Sequence, residues 1–93
     1  MVTAIILIQT RHGHANEVAE ALAGFPQVAE VYSVGGTYDV IAIVRVRHNE
    51  DVAQMVTERM VNVSGIERTE TLIAFKAYSR HDLENVFSLG LED

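Results

Sequence analysis

Ninety-three residues suffice for one domain with one modest core, and not for a second. The chain is 48% hydrophobic and 22% charged, and its 7 basic against 13 acidic residues give a net charge of −6, a composition that suits a folded domain and a field that repels phosphate backbones. There is no cysteine, which excludes a disulfide framework and a thiolate metal site, and the early apolar run from Ala4 to Ile8 is too short for a signal peptide or a membrane span.

These properties lead to the expectation of a cytoplasmic protein that touches neither membrane nor nucleic acid directly. Residues 2–10, VTAIILIQT, are β-branched or apolar at nearly every position and read as a strand covered on both faces. In the following RHGHANEVAEALAGFP, Val18, Ala21, Leu22 and Phe25 fall at helical spacing, and Gly24 and Pro26 supply the stop. Residues 28–35 alternate as a second strand, and 39–47 are a third that stays apolar until its end. The short glycine-rich linker between them predicts an antiparallel hairpin.

Asn49 is a candidate cap for a second helix, with Glu50 and Asp51 in its first turn. Val52, Met55, Val56, Met60 and Val63 make its apolar stripe, and Ser64 and Gly65 end it. Residues 66–77, IERTETLIAFKA, begin polar and finish apolar, as a fourth strand would. The order βαββαβ is the ferredoxin-like α+β arrangement, an antiparallel four-stranded sheet with two helices on one face. Ser79, Asp82 and the shared face of Leu83, Val86 and Phe87 predict a short C-terminal helix within about 79–90, so 1–93 reads as one domain with its core in 2–77.

Two helices cover only one face of such a sheet, yet both faces of the first and third strands are apolar. Val2, Ala4, Ile6 and Ile8 oppose Ile5 and Leu7, and Val40, Ala42, Val44 and Val46 oppose Ile41 and Ile43. Leaving two or three of these side chains in water would forfeit roughly 1.5 to 3 kcal/mol each, so a dimer packed sheet against sheet is expected.

Sites of chemistry are few. His12, His14, His48 and His81 match no familiar metal spacing and read as solvent-exposed, so no metal or cofactor is expected. There is no nucleophile elbow, and the Gly35–Gly36 pair joins two strands, whereas a phosphate loop joins a strand to a helix. Arg11, Arg45 and Arg47 read as solvated strand ends, and Met55 and Met60 as core. The loop from Gly35 to Asp39 reads first as a turn. Glycine-exposed N–H groups beside the Asp39 carboxylate would also suit the carboxylate and ammonium of a small zwitterion.

The run VAEVYSVGGTYDVIAIVRV, then a helix, then VSGIERTETLIAF, resembles the effector-binding or RAM domain of the Lrp/AsnC family of feast/famine regulators. That family's pattern pairs a Gly-x-Tyr-Asp hairpin, matched by Gly36, Tyr38 and Asp39, with a Gly-Ile and Thr-x-Thr strand, matched by Gly65, Ile66, Thr69 and Thr71. The likeness spans about residues 2–77. It implies a ferredoxin-like homodimer, assembly of dimers into octamer-like rings, and an amino-acid effector at the contact between dimers. Carried over residue by residue, the pocket takes Gly35, Gly36, Thr37, Tyr38 and Asp39 from one subunit and Thr69 and Thr71 from a neighbour.

Two departures stand out: with the first strand starting at Val2, no DNA-binding helix-turn-helix is expected before it, and the tail reads as a helix where the family often has a strand. The likeness is therefore to stand-alone effector domains, which would affect transcription by mixed assembly with a full-length Lrp/AsnC regulator. The expectation is a non-enzymatic sensor. The alternative is a small dimeric α+β-barrel monooxygenase or isomerase, with a cavity inside one protomer and His12, His14 or His48 as acid-base groups.

Overall fold

The computed structural model describes residues 1–78 and Arg80. Its elements are β1 (Val2–Thr10), α1 (Ala15–Ala23), β2 (Val28–Ser33), β3 (Val40–Val46), α2 (Asn49–Gln54) and β4 (Ile66–Ile73). The strands form one antiparallel sheet in the order β2-β3-β1-β4, the ferredoxin-like arrangement. The expected tail helix falls outside the described residues, and β4 ends at Ile73, short of the expected 77.

The doubly apolar strands place one side-chain set under the helices. Ala4, Ile6 and Ile8 of β1 and Val40, Ala42 and Val44 of β3 are fully buried, joined by Val18 and Leu22 one helical turn apart on α1. Each aliphatic side chain so buried contributes roughly 1.5 to 3 kcal/mol relative to exposure. The opposite set is half-covered or exposed. Cross-strand pairing aligns Tyr32, Ile41, Leu7 and Glu70 in one row of the open face, and Glu30, Ile43, Ile5 and Leu72 in the next.

Strict alternation does not hold in β2. Val28 pairs with Val44 and Glu30 with Ile43, so Ala29 is an extra residue at a bulge. The bulge turns both Val28 and Val31 toward the helices, although an odd spacing would otherwise send them to opposite faces. The second helix also departs from regularity. Five α-helical residues turn the chain through roughly 500°, which would leave Met60 about 140° away from Met55. After Gln54 the helix widens into a π turn over Met55–Arg59, in which the Met60 N–H donates to the Met55 carbonyl, and a 3-10 turn follows over Met60–Asn62. That register brings both methionines into the core, at 1% and 2% exposure.

The cap of α2 is His48, one residue before the expected Asn49. Its N–H donates to the Asp51 Oδ2 at 3.1 Å, so the acidic first turn reaches back to close the helix start.

Candidate functional site: the hairpin and the facing threonines

The β2–β3 connection, residues 34–39, is pinned to the end of β1 from several directions. Val34 N–H donates to the Asp39 carbonyl and Asp39 N–H to the Ile8 carbonyl, each at 2.9 Å. Gln9 Nε2 donates to the Thr37 carbonyl at 3.0 Å. Asp39 Oδ2 accepts from the Thr10 N–H at 2.9 Å and from the Thr10 hydroxyl at 3.4 Å. The Tyr38 hydroxyl crosses the open face and donates to Glu70 Oε2. That carboxylate raises the phenol above its ordinary value, chiefly by accepting its hydrogen bond.

These anchors hold a small polar surface in place. Gly36 has φ +128°, and a Cβ at either Gly35 or Gly36 would meet nothing within 4 Å. Among the described residues the N–H groups of Gly35, Gly36 and Thr37 make no hydrogen bond, and every recorded bond to the Asp39 carboxylate falls on Oδ2. Three unbonded donors on exposed residues therefore share one short loop with a carboxylate whose Oδ1 accepts no bond among the described residues. Such a surface can hold a carboxylate and an ammonium together.

Thr69 and Thr71 lie elsewhere. They pair with Ile8 and Ile6, share the helix-facing side of β4 and are half-buried. Thr69 lines a recess with Met60 and Ile66, and Thr71 an apolar groove with Val52, Val56 and Ile73. β1 runs between the hairpin and β4, so the two sets stand roughly 10 Å apart at two strand spacings. The structure brings Gly35, Gly36, Thr37, Tyr38 and Asp39 together, and one protomer leaves Thr69 and Thr71 apart from them.

Sequence reasoning missed the residues that anchor the loop: Gln9, Thr10 and Glu70. Their signals were present, as a polar end on an apolar strand and an acid between two threonines, but nothing local pairs them with residues about thirty positions away.

Of the histidines, His12 and His48 are exposed, and His14 Nδ1 lies 3.3 Å from Glu17 Oε2 in the first turn of α1. His81 lies outside the described residues. Among those residues no group of three or more His, Cys, Asp or Glu side chains converges as metal ligands. Between sheet and helices the space is filled by Ile6, Ile8, Leu22, Met55 and Met60, all at most 2% exposed.

Comparison with known proteins bears on family and fold. The sequence profile of the Lrp/AsnC ligand binding domain matches residues 3–83. The HTH-type transcriptional regulator FL11 of Pyrococcus furiosus is 31% identical over 77 residues, which cover 83% of this chain and 50% of FL11. The chain thus spans about half the length of the curated relatives it matches. The crystal structure of TTHA0845 from Thermus thermophilus superposes with a TM-score of 0.80 at 49% identity, covering 86% of this chain and all of that one. The Neisseria meningitidis transcriptional regulator NMB0573 in its L-Met complex shares the fold at a TM-score of 0.75 and 16% identity, over 85% of this chain and 53% of that one.

Proposed function

Because the chain belongs to the Lrp/AsnC ligand-binding-domain family, we propose that it is a non-enzymatic sensor of an amino-acid effector, working as a dimer that assembles further into rings. The observation that carries this reading is that the N–H groups of Gly35 to Thr37 and one oxygen of Asp39, all in one short loop, make no hydrogen bond among the described residues. In the proposed pocket the loop amides take the effector's carboxylate and Asp39 its ammonium. Thr69 and Thr71 of a neighbouring subunit supply hydroxyls to complete the buried hydrogen bonds. The L-Met complex of the Neisseria fold relative makes amino acids the first ligands to test.

Dimerisation is proposed through the open face, where Ile5, Leu7, Ile41 and Ile43 sit at the centre between the polar ends of Glu30 and Glu70. Regulation of transcription would follow from mixed assembly with a full-length relative.

Calorimetric titration with the twenty amino acids tests the pocket: at least one should bind below about 1 mM. Asp39→Asn should weaken it roughly tenfold to a hundredfold, because a charge-assisted hydrogen bond is worth about 1.5 to 3 kcal/mol. The asparagine keeps an acceptor for Thr10, so the fold is spared. Sedimentation at micromolar concentration tests the dimer, and a stable 10.3 kDa species would refute it.

A further inference from the structure

β4 closes one side of the sheet, and among the described residues no strand lies beside its outer edge. The Ala74 N–H donates to the Thr3 carbonyl at 2.9 Å, which sets the parity of the ladder. Backbone groups of Arg68, Glu70 and Leu72 face β1, and those of Thr69, Thr71 and Ile73 face outward. The opposite edge of the sheet, β2, is interrupted by the bulge at Ala29, whereas β4 pairs without a break from Arg68 to Ile73 and holds no proline there. A regular edge is a template for another strand, and a bulge is one of the devices that blunt it.

The side chains define which strand fits. Arg68 and Glu70 flank Thr69 and are exposed on the open face. Arg68 has no ion-pair partner among the described residues, and the bond recorded to the Glu70 carboxylate, from the Tyr38 hydroxyl, falls on Oε2. Two copies of β4 paired antiparallel about a two-fold axis at Thr69 set each Arg68 opposite the other copy's Glu70. The two Thr69 residues then exchange both N–H···O bonds, and the Arg–Glu pairs take the closer, non-hydrogen-bonded positions. Centring the axis on Glu70 would oppose two like charges, and centring it on Thr71 would oppose Glu70 to Leu72, so charge selects the Thr69 register. On the helix side of the same edge, Val61 beside Thr69 is 68% exposed and Ile73 is 41% exposed, apolar surface that a second copy would cover.

We infer that β4 pairs edge to edge with β4 of a second copy of this chain, antiparallel about Thr69, with reciprocal Arg68–Glu70 pairs. The contact is two-fold and uses the sheet edge, so it is distinct from the proposed open-face dimer, and the two alternating would close a ring. No ligand enters it, so it does not depend on the effector reading.

The test takes the full chain at micromolar concentration and reads native mass and amide hydrogen exchange. Arg68→Glu places like charges opposite each other and should weaken the edge contact about tenfold or more, lowering the assembled mass by about half or more. The Thr69 N–H should exchange about tenfold faster in that variant than in the parent. The charge swap, Arg68→Glu with Glu70→Arg, should restore both mass and protection. Asp39→Asn should change neither, which separates the edge from the hairpin pocket. The proposal is overturned if Arg68→Glu leaves the mass unchanged or if the folded charge swap behaves as the single variant does. Protection of Thr69 that persists in Arg68→Glu would assign the edge to another segment of the same chain, and overturns it equally.

Discussion

Gly36 and Gly65 both turn the chain just ahead of a strand with positive φ, +128° and +98°, yet they stand in opposite surroundings. Gly36 projects into open space. A Cβ at Gly65 would lie 3.0 Å from His14 Cβ and 3.1 Å from Val18 Cγ2, and the Gly65 carbonyl accepts from the Arg11 N–H at 2.7 Å. Gly65 is thus required by packing as well as by backbone conformation, because the turn before β4 presses on the start of α1. Gly36 is required by the backbone alone. The space around it leaves the loop exposed to solvent.

The largest expected effect follows from the crowded turn. Gly65→Ala combines strain at positive φ with overpacking against α1, each about 1 to 3 kcal/mol, so unfolding free energy should fall by about 2 to 5 kcal/mol in urea titration. A fall below about 1 kcal/mol would show that α1 shifts freely and that the contrast between the two turns is weaker than the geometry implies.

Next in size is Asp39→Ala, which leaves the Thr10 N–H without its acceptor. It should cost about 1 to 3 kcal/mol of stability, whereas Asp39→Asn should cost less than half of that. Equal losses in the two variants would mean that the charge, and not the acceptor, holds the hairpin. Gly36→Ala should follow, at about 1 to 2 kcal/mol, from backbone strain with no steric partner. Circular-dichroism melts of all three on one scale would order the anchors of the hairpin.

The legible part of the molecule was what repeats along the chain. The apolar residues of β1 and β3 revealed both the element and the face that lies under the helices, because period-2 alternation is a local signal. Gly65 and Asp39 were legible only as members of a pattern, and their physical work was not: Gly65 meets His14 and Val18 about fifty positions away, and Asp39 bonds to Thr10. The π turn was foreshadowed by the five-residue gap between Met55 and Met60, which no straight helix can bring to one face. The bulge at Ala29 had a similar trace in the odd spacing of Val28 and Val31. Both irregularities arise from packing against the sheet, and a stripe or an alternation counted without its partner surface misses them.

The smallest effect tests the tie across the open face. Tyr38 donates to Glu70, and ionising the phenol would put a second negative charge beside that carboxylate, so its pKa is raised above 10.0. A group whose folded value is raised lends stability that is complete below its unfolded value and lost as pH climbs through the folded one. The contribution of this tie should therefore be present in full at neutral pH and fade only in the alkaline range above about 10. In an alkaline titration of phenolate absorbance, Tyr38→Phe should remove one of the late-ionising groups, the Glu30-bonded Tyr32 being another. Glu70→Gln should bring the Tyr38 transition back toward its ordinary position. If both variants titrate as the parent does, the hairpin is held by Asp39 and the backbone alone, and Tyr38 is free to turn toward a ligand.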